Sequence, residues 1–201
     1  MFNRFKKYFT ISFWKDKINK FRLNYYIVKA TIEGVAKTMF YSEGSYVIIE
    51  SNEILEMFDI LYGFHLIGTD YIFISPDLEE NKKDFIIYHE LGHMMMGDEF
   101  NQEVGERDVI LESGADQYSA CMMYNEGYSK DEIIDTAESI LESANKEIER
   151  SHREIGLKDP LIKELIKKNN EEWNKRISNL YDLLYVDLKD KPDRLKIKED
   201  Y

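Results

Sequence analysis

Residues 84–98, DFIIYHELGHMMMGD, constrain this chain more than any other stretch. His89, Glu90 and His93 form an H-E-x-x-H pattern. Two histidines four apart on a helix project from one face, one turn apart. Both imidazoles can then reach one metal ion, and Glu90 is placed to act as general base on a water bound to that ion. Phe85, Ile86, Ile87 and Tyr88 lead into the pattern, so the helix is expected to run through a core. Chance spacing is the bland alternative. Against it, the chain has only four histidines and two of them share this apolar turn, where an unpartnered imidazole is costly to bury.

A catalytic zinc takes three protein ligands and leaves one position open. A third ligand must therefore come from another element. A helix expected over about 108–125, DVILESGADQYSACMMYN, offers Glu112, with Asp116 one turn later on the same face. Glu112 is expected to bind the ion. Asp116 is expected to accept a hydrogen bond from the second ring nitrogen of a ligating histidine, which fixes its tautomer and orientation. Ala115, Ser119 and Ala120 on this helix, and Gly92 on the first, are small enough for close backbone approach. A Glu/Asp pair is ordinarily a solvated acidic face. The apolar residues Val109, Ile110, Tyr118, Met122 and Met123 around this one favour a buried site.

Around these two helices the pattern predicts an α+β chain, mainly helical. A strand is expected at Tyr46–Ile49 after Gly44, then a short helix opened by Asn52. A hairpin is expected from HLI and DYIFIS, split by Gly68-Thr69-Asp70, with His65 a strand residue. The strand DYIFIS is a candidate for holding an extended peptide by edge pairing. Ser129 and Glu132 have capping-box spacing and open a later helix with the stripe Ile133, Ala137, Ile140, Ala144 and Ile148. Asp159-Pro160 opens a last helix. Its stripe is Leu161, Leu165, Trp173, Ile177, Leu180 and Leu184, with a candidate break at Asn169-Asn170.

Residues 1–25 are basic and aromatic, with Ile11, Trp14, Ile18, Phe21 and Tyr25 at helical spacing. A helix docked on the rest of the protein is favoured over one lying on a membrane surface. A second helix is expected over about 26–40. Charge is split unevenly: the net value is −12, yet residues 1–30 hold eight basic residues against Asp16 alone, +7, leaving −19 for the rest. The acidic balance argues against direct nucleic acid binding. The basic segment could also cover the acidic body as a latch. A single cysteine, Cys121, excludes an internal disulfide. Lys15 and Asp16 interrupt FTISFW too soon for a signal peptide, so a cytoplasmic location is expected.

Taken together, H-E-x-x-H with a downstream E-x-x-x-D is the gluzincin pattern. More narrowly, DYIFISPD, DFIIYHELGHMMMGD and ILESGADQYSACMM resemble the ImmA/IrrE-type metallopeptidases over about residues 45–125. Gly114 stands where that family usually has a glutamate, and Ser119 where it has a small residue after the aromatic. The resemblance implies a minimal zincin-like core with a small sheet packed on the H-E-x-x-H helix. It implies Zn2+ held by His89, His93 and Glu112, Glu90 as base and Asp116 behind the ligands. It also implies a protein or peptide substrate, with a helix-turn-helix repressor as one class. The expected division is a basic helical segment at 1–40, a metallopeptidase core at 41–128 and a helical extension at 129–201. Candidate oxyanion donors are Tyr118, Tyr124, Tyr128 and His152. The expected function is zinc-dependent peptide hydrolysis. The alternative is a metal-stabilised regulatory protein that recognises a partner without cutting it.

Overall fold

The computed structural model describes residues 22–27, 29–31, 36–41, 44–58, 60–66, 69–96, 109–154 and 160–187. The chain is α+β and mainly helical, with one small four-stranded sheet. It divides into two compact units, Met1–Pro76 and Asp77–Tyr201. The division falls inside the expected 41–128 core. The motif helices share their unit with the C-terminal helices, while the sheet lies in the other.

In the first unit, residues 22–27 and 29–31 are helical. Strands β1 (Ala36–Tyr41) and β2 (Gly44–Glu50) pair antiparallel with Tyr41 opposite Gly44. Helix α1 (Asn52–Phe58) then carries the chain over, and β3 (Gly63–His65) and β4 (Tyr71–Ile74) complete the sheet in the order β1-β2-β4-β3. β2 and β4 are parallel, as the intervening helix allows, and β3 and β4 form the expected antiparallel hairpin. That hairpin is pinned by its own turn: Thr69 Oγ1 donates to the Leu66 carbonyl at 2.7 Å, and the buried His65 Nε2 to the Thr69 carbonyl at 2.6 Å. His65 is thus a structural strand residue. Ile49, Ile54 and Phe73 are fully buried in the core, with Phe64 stacked on Phe73.

Three expectations are corrected here. The helix over 26–40 stops early, because residues 36–41 find a ladder partner in β2. DYIFIS offers no edge for a peptide, since β4 is paired on both sides. Ser51 rather than Asn52 caps α1: its Oγ accepts from the Ile54 N–H at 3.3 Å. Residues 1–21, which carry most of the basic amphipathic segment, lie outside the described residues. Of its stripe only Tyr25 is described, and it is exposed.

Among its described residues the second unit has four helices, α2 (Glu80–Met96), α3 (Val109–Asn125), α4 (Lys130–Glu154) and α5 (Pro160–Tyr181), followed by a π-helical turn at Asp182–Asp187. Local chemistry sets their ends. α3 closes in a Schellman arrangement: Gly127 takes a φ of 101°, the Tyr128 N–H reaches the Met123 carbonyl and the Gly127 N–H that of Tyr124, both at 3.1 Å. The Ser129/Glu132 capping box forms as read, with the Ser129 N–H donated to Glu132 at 2.8 Å and the Glu132 N–H to Ser129 Oγ at 3.2 Å. α5 opens at Pro160 and runs through Asn169-Asn170 without a break. Asn81 lies inside the first turn of α2 and donates to Thr136 on α4 at 2.9 Å. α3 packs against α2, α4 and α5. The core they share includes Leu91, Ala115, Met123, Ile133 and Leu180, all at most 1% exposed. Among the described residues no helix is long and apolar enough to cross a membrane.

Candidate metal centre

α2 and α3 approach closely because Gly92 faces α3. A Cβ built there would lie 3.0 Å from the Ala115 Cα and 3.1 Å from the Tyr118 Cβ. Ser119 ties the pair together, donating to the Phe85 carbonyl at 2.6 Å. Polar groups sealed at such a crossing must find partners.

His89, His93 and Glu112 converge, and one ligand atom from each lies within 4.8 Å of the others. The His89 and His93 Nε2 atoms are 3.1 Å apart. Glu112 Oε2 stands 3.5 Å from His89 Nε2, and Oε1 3.6 Å from His93 Nε2. Ligands at zinc-type bond lengths in a tetrahedral arrangement are about 3.3 Å from one another. The three residues therefore stand close to the spacing one ion requires, with Glu112 presenting a different carboxylate oxygen to each histidine. Two imidazole nitrogens facing each other at this distance can share either a proton or a metal.

Asp116 lies against the imidazole of His89. It is 1% exposed, and its Oδ1 accepts the His89 Nδ1–H at 2.8 Å. That bond commits the proton to Nδ1 and turns Nε2 toward the site. Burial pushes the Asp116 carboxyl up, but the Arg176 guanidinium and the His89 imidazole outweigh it and hold the group below its ordinary value. For His89 burial disfavours the charged form, yet the bonds to Asp116 and Glu112 and the nearby charge of Glu90 lift it to about 9. Glu90 is half-buried on α2, next to His89.

Arg176, on α5, completes this network, and the sequence reading missed it. Its Nε donates to Asp116 Oδ2 at 2.6 Å and its Nη2 to Oδ1 at 2.7 Å. Its Nη1 stands 3.2 Å from Glu112 Oε2. Asn179, one turn on, donates to Ser113 Oγ at 3.1 Å. A signal was present: Arg176 interrupts the apolar stripe between Trp173 and Leu180, and a cation on a core-facing stripe calls for a buried anion.

The candidate oxyanion donors are dispersed. Tyr128 donates its hydroxyl to Asp84 Oδ2 at 2.7 Å. The Tyr124 ring lies under the Lys130 ammonium, 5.9 Å from its centroid. The Tyr118 Cβ is at the Gly92 crossing. The His152 side chain lies outside the described residues. Cys121, half-buried on α3, has its thiol pushed up to about 11 by burial and does not join the metal group. Gly114, where the resembled family has a glutamate, lies under Met96: a Cβ there would sit 2.8 Å from its sulfur. Comparison of the chain with protein-family models, curated proteins and solved structures returns no match.

Proposed function

We propose that this protein is a zinc-dependent endopeptidase of the ImmA/IrrE type. The observation that carries the reading is the convergence of His89, His93 and Glu112 at metal-ligand spacing, next to Glu90. Two imidazoles and one carboxylate suit zinc among the common divalent ions. A purely structural zinc site is usually closed by four protein ligands, whereas three leave a position for chemistry. The resemblance of the motif segments supports the same assignment and extends it to a protein or peptide substrate.

Bound there, the ion supplies Lewis-acid chemistry, acidifying a water and polarising the scissile carbonyl. Glu90 takes the proton of the attacking water and delivers it to the leaving amine. The Asp116 bond to Nδ1 fixes the ring of His89 with Nε2 facing the site, so that nitrogen would meet the ion without a competing rotamer once its proton has left. The Gly92 crossing holds the two ligand-bearing helices together, which keeps the donors preorganised.

The test combines zinc analysis with cleavage of a randomised peptide library read by mass spectrometry. The wild type is expected to bind one zinc and release products. Glu90→Gln is expected to bind zinc equally and cleave roughly 10²–10⁴-fold more slowly, the usual weight of a general base. A Glu90→Gln protein as fast as wild type removes the base. A zinc-loaded wild type that cuts nothing leaves the ion to the alternative role, recognition without cleavage.

A further inference from the structure

We infer that Arg176 is a positioning residue of the metal centre, so that α5 forms one wall of the site. The inference rests on the metal reading above and goes beyond it, because neither the motif nor the resemblance reaches past residue 125.

The geometry carries the assignment. Two guanidinium nitrogens grip both oxygens of Asp116, while the third faces the ligand Glu112. Asp116 Oδ1 serves two donors at once, Arg176 Nη2 and His89 Nδ1. The rotation of that carboxylate is therefore set from α5, and the imidazole follows it. The Arg176 side chain is itself only 12% exposed, with its guanidinium carbon 5.6 Å from the Trp173 ring centroid. Two rungs fix the register of α5 on α3: Asn179 on Ser113, and Arg176 on Asp116. A planar fork is needed for this grip. A lysine supplies the charge as a single point and cannot hold both oxygens in plane.

Charge argues the same way. Glu112 and Asp116 are both buried. Without a fixed cation they would repel and turn apart before any ion arrived. Arg176 keeps them side by side and facing His89 in the metal-free chain. Partners behind a metal ligand commonly carry 10–100-fold in affinity, and Arg176 is expected to fall in that range.

The experiment uses the full chain and zinc alone, titrated against a chromophoric chelator. The proteins are wild type, Arg176→Gln, Arg176→Lys, Asp116→Asn and the double variant Asp116→Asn/Arg176→Gln. Arg176→Gln is expected to bind zinc roughly 10–100-fold more weakly, with Arg176→Lys recovering only part of the loss. Because Arg176 acts through Asp116, adding Arg176→Gln to Asp116→Asn is expected to cost less than Arg176→Gln costs alone. Cobalt substituted for zinc gives a second reading: the visible bands of Arg176→Gln are expected to shift, since the ligands themselves are displaced. Arg176→Lys carries the same two readings if Arg176→Gln does not fold. Unchanged affinity, or strict additivity with unshifted cobalt bands, overturns the inference while leaving the metal centre standing. A wild type that takes up no zinc overturns the metal reading itself.

Discussion

His89 has two ring nitrogens with separate tasks. Nδ1 is tied to Asp116 and Nε2 faces His93 and Glu112. In the metal-free protein the ring is lifted from 6.5 to about 9, so it holds a proton at neutral pH. The sign follows from that direction. The His89–Asp116 pairing contributes its full stability below pH 6.5 and loses it as pH rises through about 9. An incoming ion must displace the same proton. Zinc affinity is therefore expected to rise about tenfold per pH unit from pH 7 toward 9, with one proton released per ion. Calorimetry in buffers of different ionisation enthalpy measures the release; a flat affinity over this window would mean His89 is neutral before the metal binds. The residues of the site were unevenly legible. His89, Glu90 and His93 were readable because one helical turn holds them. Glu112 and Asp116 were readable because small and apolar neighbours contradict a solvated face. Arg176 was not, because it lies 60 residues from Asp116, and only the packing of α5 on α3 brings it there.

At the scale of the elements, two glycines test how the helices hold the site. Alanine in place of glycine ordinarily favours a helix by about 1 kcal/mol. At Gly92 that gain meets backbone: the new Cβ would sit 3.0 Å from the Ala115 Cα and 3.3 Å from its carbonyl oxygen. α3 would have to shift and take Glu112 with it. Gly92→Ala is expected to lower the melting temperature and weaken zinc binding together. At Gly114 the obstacle is the Met96 sulfur at 2.8 Å, the far part of an exposed, flexible chain that can swing away. Gly114→Ala is expected to raise the melting temperature by roughly 4 °C per kcal/mol gained, with zinc affinity kept. Thermal melts with a chelator titration separate the two; equal effects would mean that Gly92 is not setting the helix separation. The helix ends were legible because their signals are local: Gly127, the Ser129/Glu132 box and Pro160 each act on their own neighbours. β1 was not. Residues 36–41 are compatible with either period, and the choice is made by β2, where tertiary pairing overrides local propensity.

For the molecule as a whole, the groups around the candidate ion among the described residues belong to the unit Asp77–Tyr201. His89 and His93 come from α2, Glu112 and Asp116 from α3, and Arg176 from α5. An unfolded chain does not present these groups together, so ion binding favours the folded unit by mass action. Free zinc at a hundredfold over its dissociation constant contributes about 2.7 kcal/mol. For a unit of this size that is a rise of about 10 °C in melting temperature. Trp173 reports on it directly, since its ring lies beside the Arg176 guanidinium. Trp14, the other of the two tryptophans, is removed by Trp14→Phe to leave that signal alone. The fluorescence melt of Trp14→Phe is expected to move up with zinc, return after chelation, and move less in Glu112→Gln. That variant keeps the shape of the side chain and removes the charge that binds the ion. A melt that ignores zinc in Trp14→Phe would mean the three donors hold no ion in solution, however well their spacing suits one.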